Sequence, residues 1–279
     1  MKYFLIGTTL TAALFVGACT HPDDKLSATV DNNVKLSNIS ERVEDARFVL
    51  IGEKHDNPNH HKVQAAILRQ TLSADDVVVF EMLKSTQEEA IKGFNAGQIA
   101  FDDLGTALNW AESGWPDWSY YAPLFAAAKD AGAKVVAGSL PISDLKKTEL
   151  DESKLDEAAK AILTEDIKIG HCDLLPEQAL APMMRIQMQK DALMAQKMLT
   201  APEGQKAFLI AGNGHVVKDR AVPRYLPANR QNMVVVGFGE KGDEAADIYS
   251  SYDIYWITDG IGKSHEDYCA DLKKKFSKN

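Results

Sequence analysis

The chain has 279 residues, of which 45% are hydrophobic and 25% are charged, so one large globular domain, or a large and a small one, is the natural expectation. Its net charge of −9 and its pI near 5.3 leave no basic surface of the kind that nucleic-acid-binding proteins present. We therefore expect no nucleic acid among its partners.

Residues 1–18 are typical of a bacterial lipoprotein signal peptide. A basic start is followed by an apolar stretch at 4–16, too short to span a bilayer, and small residues stand directly before Cys19. We expect cleavage before Cys19, acylation of its thiol by palmitate and a membrane anchor. Thr20, in place of an aspartate, resembles the outer-membrane sorting pattern of Gram-negative lipoproteins. An ordinary signal peptide cut after Ala18 and a buried apolar N-terminus are the alternatives.

The remaining cysteines fit an oxidising compartment. Without Cys19, the chain keeps Cys172 and Cys269, which could pair in the periplasm. Their number does not show that they do, and the pairing stays open. The face of the outer membrane on which the protein lies, periplasmic or external, also stays open.

The first strong structural signal follows a polar segment. Residues 19–45 lack sustained periodicity and predict a tether. The apolar run 48–51 then predicts a buried strand, and Gly52 ends it. Four ionisable residues come next, at 53–56, and Asn57-Pro58 is a favourable N-cap and first position for a helix.

The rest of the chain alternates between strands and helices. Further strands are predicted at 76–80, 134–137, 206–211, 232–237 and 254–257, and the main helices at 58–72, 102–112, 120–131, 155–169 and 176–199. This pattern predicts an α/β fold with a mostly parallel sheet and flanking helices. Residues 46–140 and 201–279 would form the body. The strand-free residues 141–200 would form a smaller helical lid over the strand ends.

Ionisable side chains follow three of the predicted strands. Glu53 and His55 come after the first strand, Glu81 after the second, and His215 after the strand at 206–211. The carboxyl ends of parallel strands share one edge, so we expect these four side chains in one pocket. They could bind a metal, transfer protons, or be ion pairs that fix the turns.

Several motifs together resemble the ChaN-like haem-binding lipoproteins. These are GEKHDNPNHH at 52–61, FEM at 80–82, GWPDW at 114–118 with YYAPLF after it, and AGNGHVVKDRAVP at 211–223. The resemblance spans 47–257 and extends to a wider group of erythromycin-esterase-like and Tiki or TraB-like proteins. It implies a parallel sheet with a small helical domain, an outer-membrane location and a role in haem or iron uptake. It also implies a homodimer that holds its haems face to face, and an outer-membrane haem receptor is a possible further partner.

Under that resemblance, haem iron needs an axial ligand and the propionates need cations. Tyr120, Tyr121 and His171 are candidate axial ligands, and Lys54, His60, His61 and Lys190 are candidate propionate partners. Lys190 takes the place of a family arginine, so a role carried over to it lacks the bidentate pairing that arginine gives.

The alternative hypothesis is an enzyme. Glu53, His55, Glu81 and His215 would then form a pocket for acid/base hydrolysis, or for hydrolysis assisted by a divalent metal, as in the esterase-like relatives. We favour the haem binder because the lipoprotein signal and the motifs agree on it.

Overall fold

A seven-stranded sheet forms the centre of the protein, which is described here by a computed structural model covering residues 29–30, 36–227, 232–242 and 248–276. The strands are β1 (Thr29–Val30), β2 (Phe48–Ile51), β3 (Val77–Lys84), β4 (Lys134–Ser139), β5 (Ala207–Ile210), β6 (Met233–Glu240) and β7 (Ile254–Thr258). Their order is β1-β7-β6-β2-β5-β3-β4, and each pairing is parallel. The predicted signal peptide and Cys19 lie outside the described residues.

Helices cover both faces of this sheet. They are α1 (Leu36–Glu44), α2 (Pro58–Thr71), α3 (Glu88–Asn95), α4 (Phe101–Ala107), α5 (Trp118–Ala131), α6 (Ile142–Leu145), α7 (Glu157–Gly170), α8 (Glu177–Met198), α9 (Asn213–Val216) and α10 (His265–Phe276). The predicted α/β class with a parallel sheet and flanking helices is confirmed. Across the described ranges, no helix combines the length and the apolar character needed to cross a bilayer.

The central strands are apolar on both faces because each face meets a helical layer. In β2, Val49 and Ile51 pack into the core with α1, α2 and α5, whereas Phe48 and Leu50 pack against α8 and β5. Each fully buried side chain of this kind stabilises the fold by about 1.5–3 kcal/mol relative to exposure. The absence of polar alternation in the strand sequences follows from this two-sided burial.

The region predicted as a lid, residues 141–200, contains α6, α7 and α8. It has a small core of its own, formed by Leu155, Ala159, Leu163, Ile167 and Met188. The second half of α8 lies on the sheet, where Met194 and Met198 are buried with β5 residues. Helix α8 therefore packs both in this small core and on the sheet, which brings its side chains to the strand ends. We keep the name lid for residues 141–200.

The predicted tether is wrong at its C-terminal end. Residues 36–44 form α1, in which Ile39 and Val43 are buried in the main core. Their apolar spacing fits one face of a helix, but nine residues are too few for this period to stand out in a polar context. Packing against the body, rather than helix propensity, holds this segment. The sequence pattern predicts no helix near the C-terminus, where α10 lies.

A bulge near the end of β3 helps to shape the strand edge. Phe80 pairs with Ala137 and Lys84 with Ser139, so residues 81–83 lie opposite the single residue Gly138. A Cβ at Gly138 would lie 2.7 Å from the Phe80 carbonyl oxygen, which is why a glycine is required there. Such bulges change the direction of side chains, and Glu81 lies within this one.

A disulfide joins Cys172 to Cys269, which settles the pairing that the sequence left open. Cys172 follows α7 in the lid, and Cys269 lies in α10. The bridge therefore fastens the C-terminal helix to the lid across a sequence separation of 97 residues.

Candidate functional site

The site lies at the carboxyl ends of three adjacent strands. Glu53 and His55 follow β2, Glu81 lies in the bulge of β3, and His215 lies in α9, directly after β5. Because β5 lies between β2 and β3 in the sheet, these ends are neighbours. The structure brings together all four residues that the strand ends predict.

The first half of the site is the Glu53 cluster, which consists of Glu53, His55, His61, Gln64 and Tyr121. Glu53 Oε1 accepts a hydrogen bond of 2.7 Å from the Tyr121 hydroxyl and lies 2.7 Å from His55 Nδ1. Its Oε2 accepts from Gln64 Nε2 at 2.8 Å and lies 3.4 Å from His61 Nδ1. A fully buried carboxylate is thus surrounded by donors, as a buried charge requires.

The start of α2 builds this cluster. Asn57 caps the helix by accepting a 2.8 Å hydrogen bond from the backbone of Asn59, and it donates to Glu240 at 2.7 Å. With Pro58 next, the helix begins immediately after the polar turn. His61 and Gln64 then lie three residues apart on one helical face, which is directed at Glu53.

The second half is the Glu81 cluster, which consists of Glu81, Lys190, Asp191, His215 and the backbone of Gly212. Glu81 Oε1 lies 3.0 Å from Lys190 Nζ and 3.1 Å from His215 Nε2. Its Oε2 accepts a hydrogen bond of 2.9 Å from the Gly212 amide. His215 Nδ1 lies 2.5 Å from Asp191 Oδ1. Here α8 contributes one cation and one anion to the strand ends.

His55 connects the two clusters. Its Nε2 lies 3.8 Å from Glu81 Oε2, and its ring centroid is 4.8 Å from that of Trp115. A Cβ at Gly212 would lie 2.8 Å from the same Nε2, so glycine permits this approach. The result is one series of alternating histidines and carboxylates, in the order His61, Glu53, His55, Glu81, His215 and Asp191.

Solvent reaches this series at His55. The His55 side chain is 33% exposed, whereas each of the other five side chains is at most 7% exposed. His55 is therefore the member of the series that a solute can reach most directly.

The ionisation of the site follows from its pairing. Burial opposes ionisation of Glu53, but the hydrogen bond from His55 and the nearby histidine charges outweigh it, so the pKa of Glu53 is lowered. Burial likewise opposes ionisation of Glu81, yet His215 and Lys190 hold its pKa well below the usual range. The pKa of His55 is raised, because its bond to Glu53 overcomes the burial that would lower it.

The His215 and Asp191 pair is the most deeply buried. Burial disfavours the imidazolium, but Glu81 and Asp191 outweigh it and raise the pKa of His215 to about 9. Burial raises the pKa of Asp191 to about 6, against the opposing effect of His215. At neutral pH the His215 imidazolium therefore lies between the carboxylates of Glu81 and Asp191 and offsets part of their charge.

The candidate propionate partners are already engaged within the described residues. Lys54 Nζ lies 3.0 Å from Glu240 Oε2, and Lys190 is bound to Glu81. His60 is buried, and its Nδ1 accepts a 2.9 Å hydrogen bond from the Lys54 amide. Burial lowers the pKa of His60 to about 4, so it is neutral at physiological pH. His61 belongs to the Glu53 cluster.

The three candidate axial ligands lie in different environments. Tyr121 is fully buried, and burial together with Glu53 raises the pKa of its hydroxyl. Tyr120 is half-buried and stacks on His61 with ring centroids 5.7 Å apart. His171 ends α7 in the lid, and its Nδ1 lies 2.7 Å from the Ile167 carbonyl oxygen.

Two members of the site were missed from the sequence. Gln64 binds Glu53, and its place three residues after His61 in a predicted helix was the available signal. Asp191 binds His215, but its only signal was its position next to Lys190. The function of Tyr121 as a donor to Glu53 was not predicted either, since no pattern places residue 121 near residue 53.

The distances between side chains test the hypothesis that the strand-end site binds a divalent metal. Within the described residues, one group of three His, Cys, Asp or Glu side chains has all its ligand atoms within 4.8 Å of one another, and it is Cys172, His265 and Cys269. The Glu53, His55, Glu81 and His215 side chains do not form such a group. The Lys190 ammonium lies 3.0 Å from Glu81 Oε1, in a position that a metal cation bound to this carboxylate would otherwise occupy.

The fold and site define an α/β protein with a buried carboxylate and histidine series at its strand ends. Residues 39–226 match the profile of the family described as "Haem-binding uptake, Tiki superfamily, ChaN". The match covers more than half of the chain, and the chain therefore belongs to this haem-binding family. The resemblance found in the sequence motifs is confirmed.

Several solved structures are similar to the chain. The chain is similar to a structure described as "Cofacial heme binding to ChaN of Campylobacter jejuni", with a TM-score of 0.63 and 24% identity over 79% of this chain and 91% of that one. It also matches the type III effector HopBA1, with a TM-score of 0.43 and 16% identity over 81% and 94% of the two chains. A Vibrio vulnificus MARTX toxin effector domain, RRSP, matches with a TM-score of 0.42 and 15% identity over 73% and 36%. No curated protein sequence matches the chain.

Proposed function

We propose that the protein binds haem and serves haem or iron uptake. The observation that carries this proposal is the match of residues 39–226 to a haem-binding uptake family. The match includes the GEKHDNPNHH and GNGH motifs and the region between them. The site supports the proposal through its aromatic surroundings, because Trp115 and Tyr120 are half-buried next to His55 and His61, two histidines of the first motif.

Tyr120 fits the part of axial ligand best. A tyrosinate can hold haem iron, but its oxygen must be accessible to the metal. The Tyr121 hydroxyl is buried and donates to Glu53, so binding iron there would leave a buried carboxylate without one of its donors. In the part of the chain that the structure describes, no hydrogen bond engages the Tyr120 hydroxyl, and its ring lies at the edge of the site on α5.

Among the cations, Lys54 is the better propionate partner. Its side chain is 42% exposed, and a propionate could share it with Glu240. Lys190 is 23% exposed and offsets the charge of the buried Glu81. Removing Lys190 from that carboxylate would be costly. His60 and His61 are buried and are not proposed as direct partners.

The proposal includes a homodimer. A flat apolar porphyrin that rests on the surface of one protomer leaves its other face in water, and a second protomer with its own haem can cover that face. Binding and dimerisation would then be linked, so that haem favours the dimer and the dimer tightens haem binding.

The proposal also includes the location. Lipidation at Cys19 would anchor the protein in the outer membrane, where an outer-membrane haem receptor would be a further partner. Mass spectrometry of the N-terminal peptide from membrane-extracted protein tests this part. Acylated Cys19 at the N-terminus is expected, and an unmodified Cys19 or an intact Met1 would contradict it.

The ligand assignment is tested by haem titration of two matched variants. Tyr120→Phe is expected to change the haem absorption band and weaken binding at least tenfold, whereas Tyr121→Phe is expected to keep the band of the unsubstituted protein. Both changes remove one hydroxyl from neighbouring positions of α5, so each is the control for the other. A band that changes with Tyr121→Phe but not with Tyr120→Phe would reverse the assignment.

A second function is favoured by one observation, which is the connection of the buried series to solvent at His55. A protonated imidazole on a buried glutamate can act as a general acid, and its neutral form as a base, in hydrolysis of an ester or amide. Haem-free protein would then hydrolyse an activated ester, and His55→Gln would abolish the activity without affecting Tyr120-dependent haem binding. Equal rates for the two proteins would remove this candidate.

A further inference from the structure

A second cluster of side chains that could bind a metal lies outside the strand-end site, at the junction of the lid and α10. It consists of Cys172, His265 and Cys269, whose ligand atoms all lie within 4.8 Å of one another. Cys172 and Cys269 are half-buried and His265 is exposed, so solutes can reach the cluster. We propose that, when the disulfide is reduced, these three residues bind a thiophilic d10 cation, Zn²⁺ or Cu⁺.

The spacing of the ligands in α10 supports the proposal. His265 and Cys269 are four residues apart and lie on one face of the helix. Cys269 Sγ is 3.4 Å from His265 Nε2. A thiolate and an imidazole bound to one tetrahedral zinc lie about 3.5 Å apart, given Zn–S of about 2.3 Å and Zn–N of about 2.0 Å. This pair is therefore already at the separation that a shared ion requires.

The third ligand is positioned by backbone that does not depend on the disulfide. Cys172 and Asp173 both have left-handed backbone, with φ of 55° and 54°. The turn is held by hydrogen bonds from the Cys172 amide to the Ile169 carbonyl at 2.9 Å and from the Asp173 amide to the Lys168 carbonyl at 3.0 Å. These hydrogen bonds do not involve the sulfur atoms, so reduction leaves their donors and acceptors in place and we expect the Cys172 side chain to stay directed towards α10.

The junction has one further contact that survives reduction. The Tyr268 hydroxyl donates to the Gly170 carbonyl at 3.3 Å and links α10 to the end of α7. Most of the described α10 side chains are exposed, so this helix has little core packing of its own. A bound ion would therefore replace the disulfide as the fastening between α10 and the lid.

The chemistry balances with one reductant. A dithiol gives two electrons and two protons to the Cys172–Cys269 bond, the S–S bond breaks, two thiols form, and the dithiol becomes a disulfide. Binding of Zn²⁺ or Cu⁺ then displaces the two thiol protons to solvent, and His265 contributes a neutral imidazole nitrogen. Two thiolates and an imidazole are the ligand types that such cations prefer.

The test is a metal titration of the full chain with the haem site left empty. Reduced protein is titrated with Co²⁺, whose thiolate charge-transfer absorption reports sulfur coordination, and with Zn²⁺ in competition with a chromophoric chelator. One Zn²⁺-displaceable Co²⁺ per chain is expected for the reduced protein, and none with thiolate absorption for the oxidised protein. The Cys172→Ser/Cys269→Ser double variant corrects for ions held by the strand-end site.

His265→Ala gives the sharper readout. It keeps both thiols and is expected to weaken zinc binding about tenfold or more, whereas Glu266→Ala, at the neighbouring exposed position of α10 outside the cluster, is expected to leave it unchanged. Circular dichroism confirms that the variants are folded. Reduced protein that binds no more zinc than the double serine variant, or an affinity unaffected by His265→Ala, would overturn the proposal. Either result would leave the haem proposal as it stands.

Discussion

The Glu53 cluster and the Glu81 cluster each stabilise a buried carboxylate, but with different kinds of partner. Glu53 is surrounded by residues of the body, and two of its donors, Gln64 and Tyr121, are neutral. Glu81 depends on α8, which belongs partly to the lid, and its partners Lys190 and His215 are cationic. Asp191 adds a second anion to that cluster.

Because their partners differ, the Glu53 cluster and the Glu81 cluster contribute differently to the site. The Glu53 cluster is a hydrogen-bonded support that orients His55, the member of the series in contact with solvent. The Glu81 cluster is a balance of charges in which each partner is required by the others. Removing a neutral donor should therefore cost less than removing one charge, since an unpaired buried charge is the more costly defect.

The largest effect is expected for His215→Ala. The substitution leaves Glu81 and Asp191 buried without their shared cation, so the free energy of unfolding should fall by about 3–5 kcal/mol. Urea denaturation followed by tryptophan fluorescence measures it. His265→Ala, at an exposed position, is the control and should change stability by less than about 0.5 kcal/mol. Equal losses for the two variants would show that the Glu81 cluster is not a charge balance.

The pH dependence should come next in size. The folded pKa of His215, about 9, lies above its ordinary value of 6.5, so its stabilising contribution is complete below about pH 6.5 and is lost as the pH rises through about 9. The expected decline is on the order of 3 kcal/mol. His55 contributes in the same direction, because its pKa is also raised. In His215→Gln the decline should be much smaller, and an unchanged decline would assign it to other groups.

A smaller effect is expected in the Glu53 cluster. Tyr121→Phe removes one neutral donor from Glu53 and should lower the free energy of unfolding by about 2 kcal/mol. Tyr120→Phe is the matched control and should change it by less than about 0.5 kcal/mol. A loss as large as that of His215→Ala would remove the distinction between the two clusters.

The smallest effect is expected for Lys190→Arg. The substitution keeps a positive charge 3.0 Å from Glu81 in the present arrangement, so stability should change by less than about 1 kcal/mol. Lys190→Met removes the charge and should cost clearly more. If the arginine and methionine variants unfold at the same urea concentration, Glu81 does not depend on a cation from α8.

The two clusters also differ in how far they could be predicted from the sequence. Glu53, His55, Glu81 and His215 each follow a short apolar strand, and parallel strands must place them at one edge. Asp191 and Tyr121 lie in helices, at distances of 24 and 68 positions from their partners, and only packing brings them in. The first helix, α1, was missed for the same reason, since its short apolar pattern acquires meaning only against the core.

The measurement that tests the central claim most directly is a haem titration of the purified, delipidated protein, read by absorption and by sedimentation together. Because the second protomer would cover the exposed face of the haem, binding and dimerisation should be coupled. We predict a saturable absorption band at about one haem per chain, and a dimer that forms only with haem. A chain that shows no saturable haem band, or that binds haem while it remains a monomer, would contradict the account.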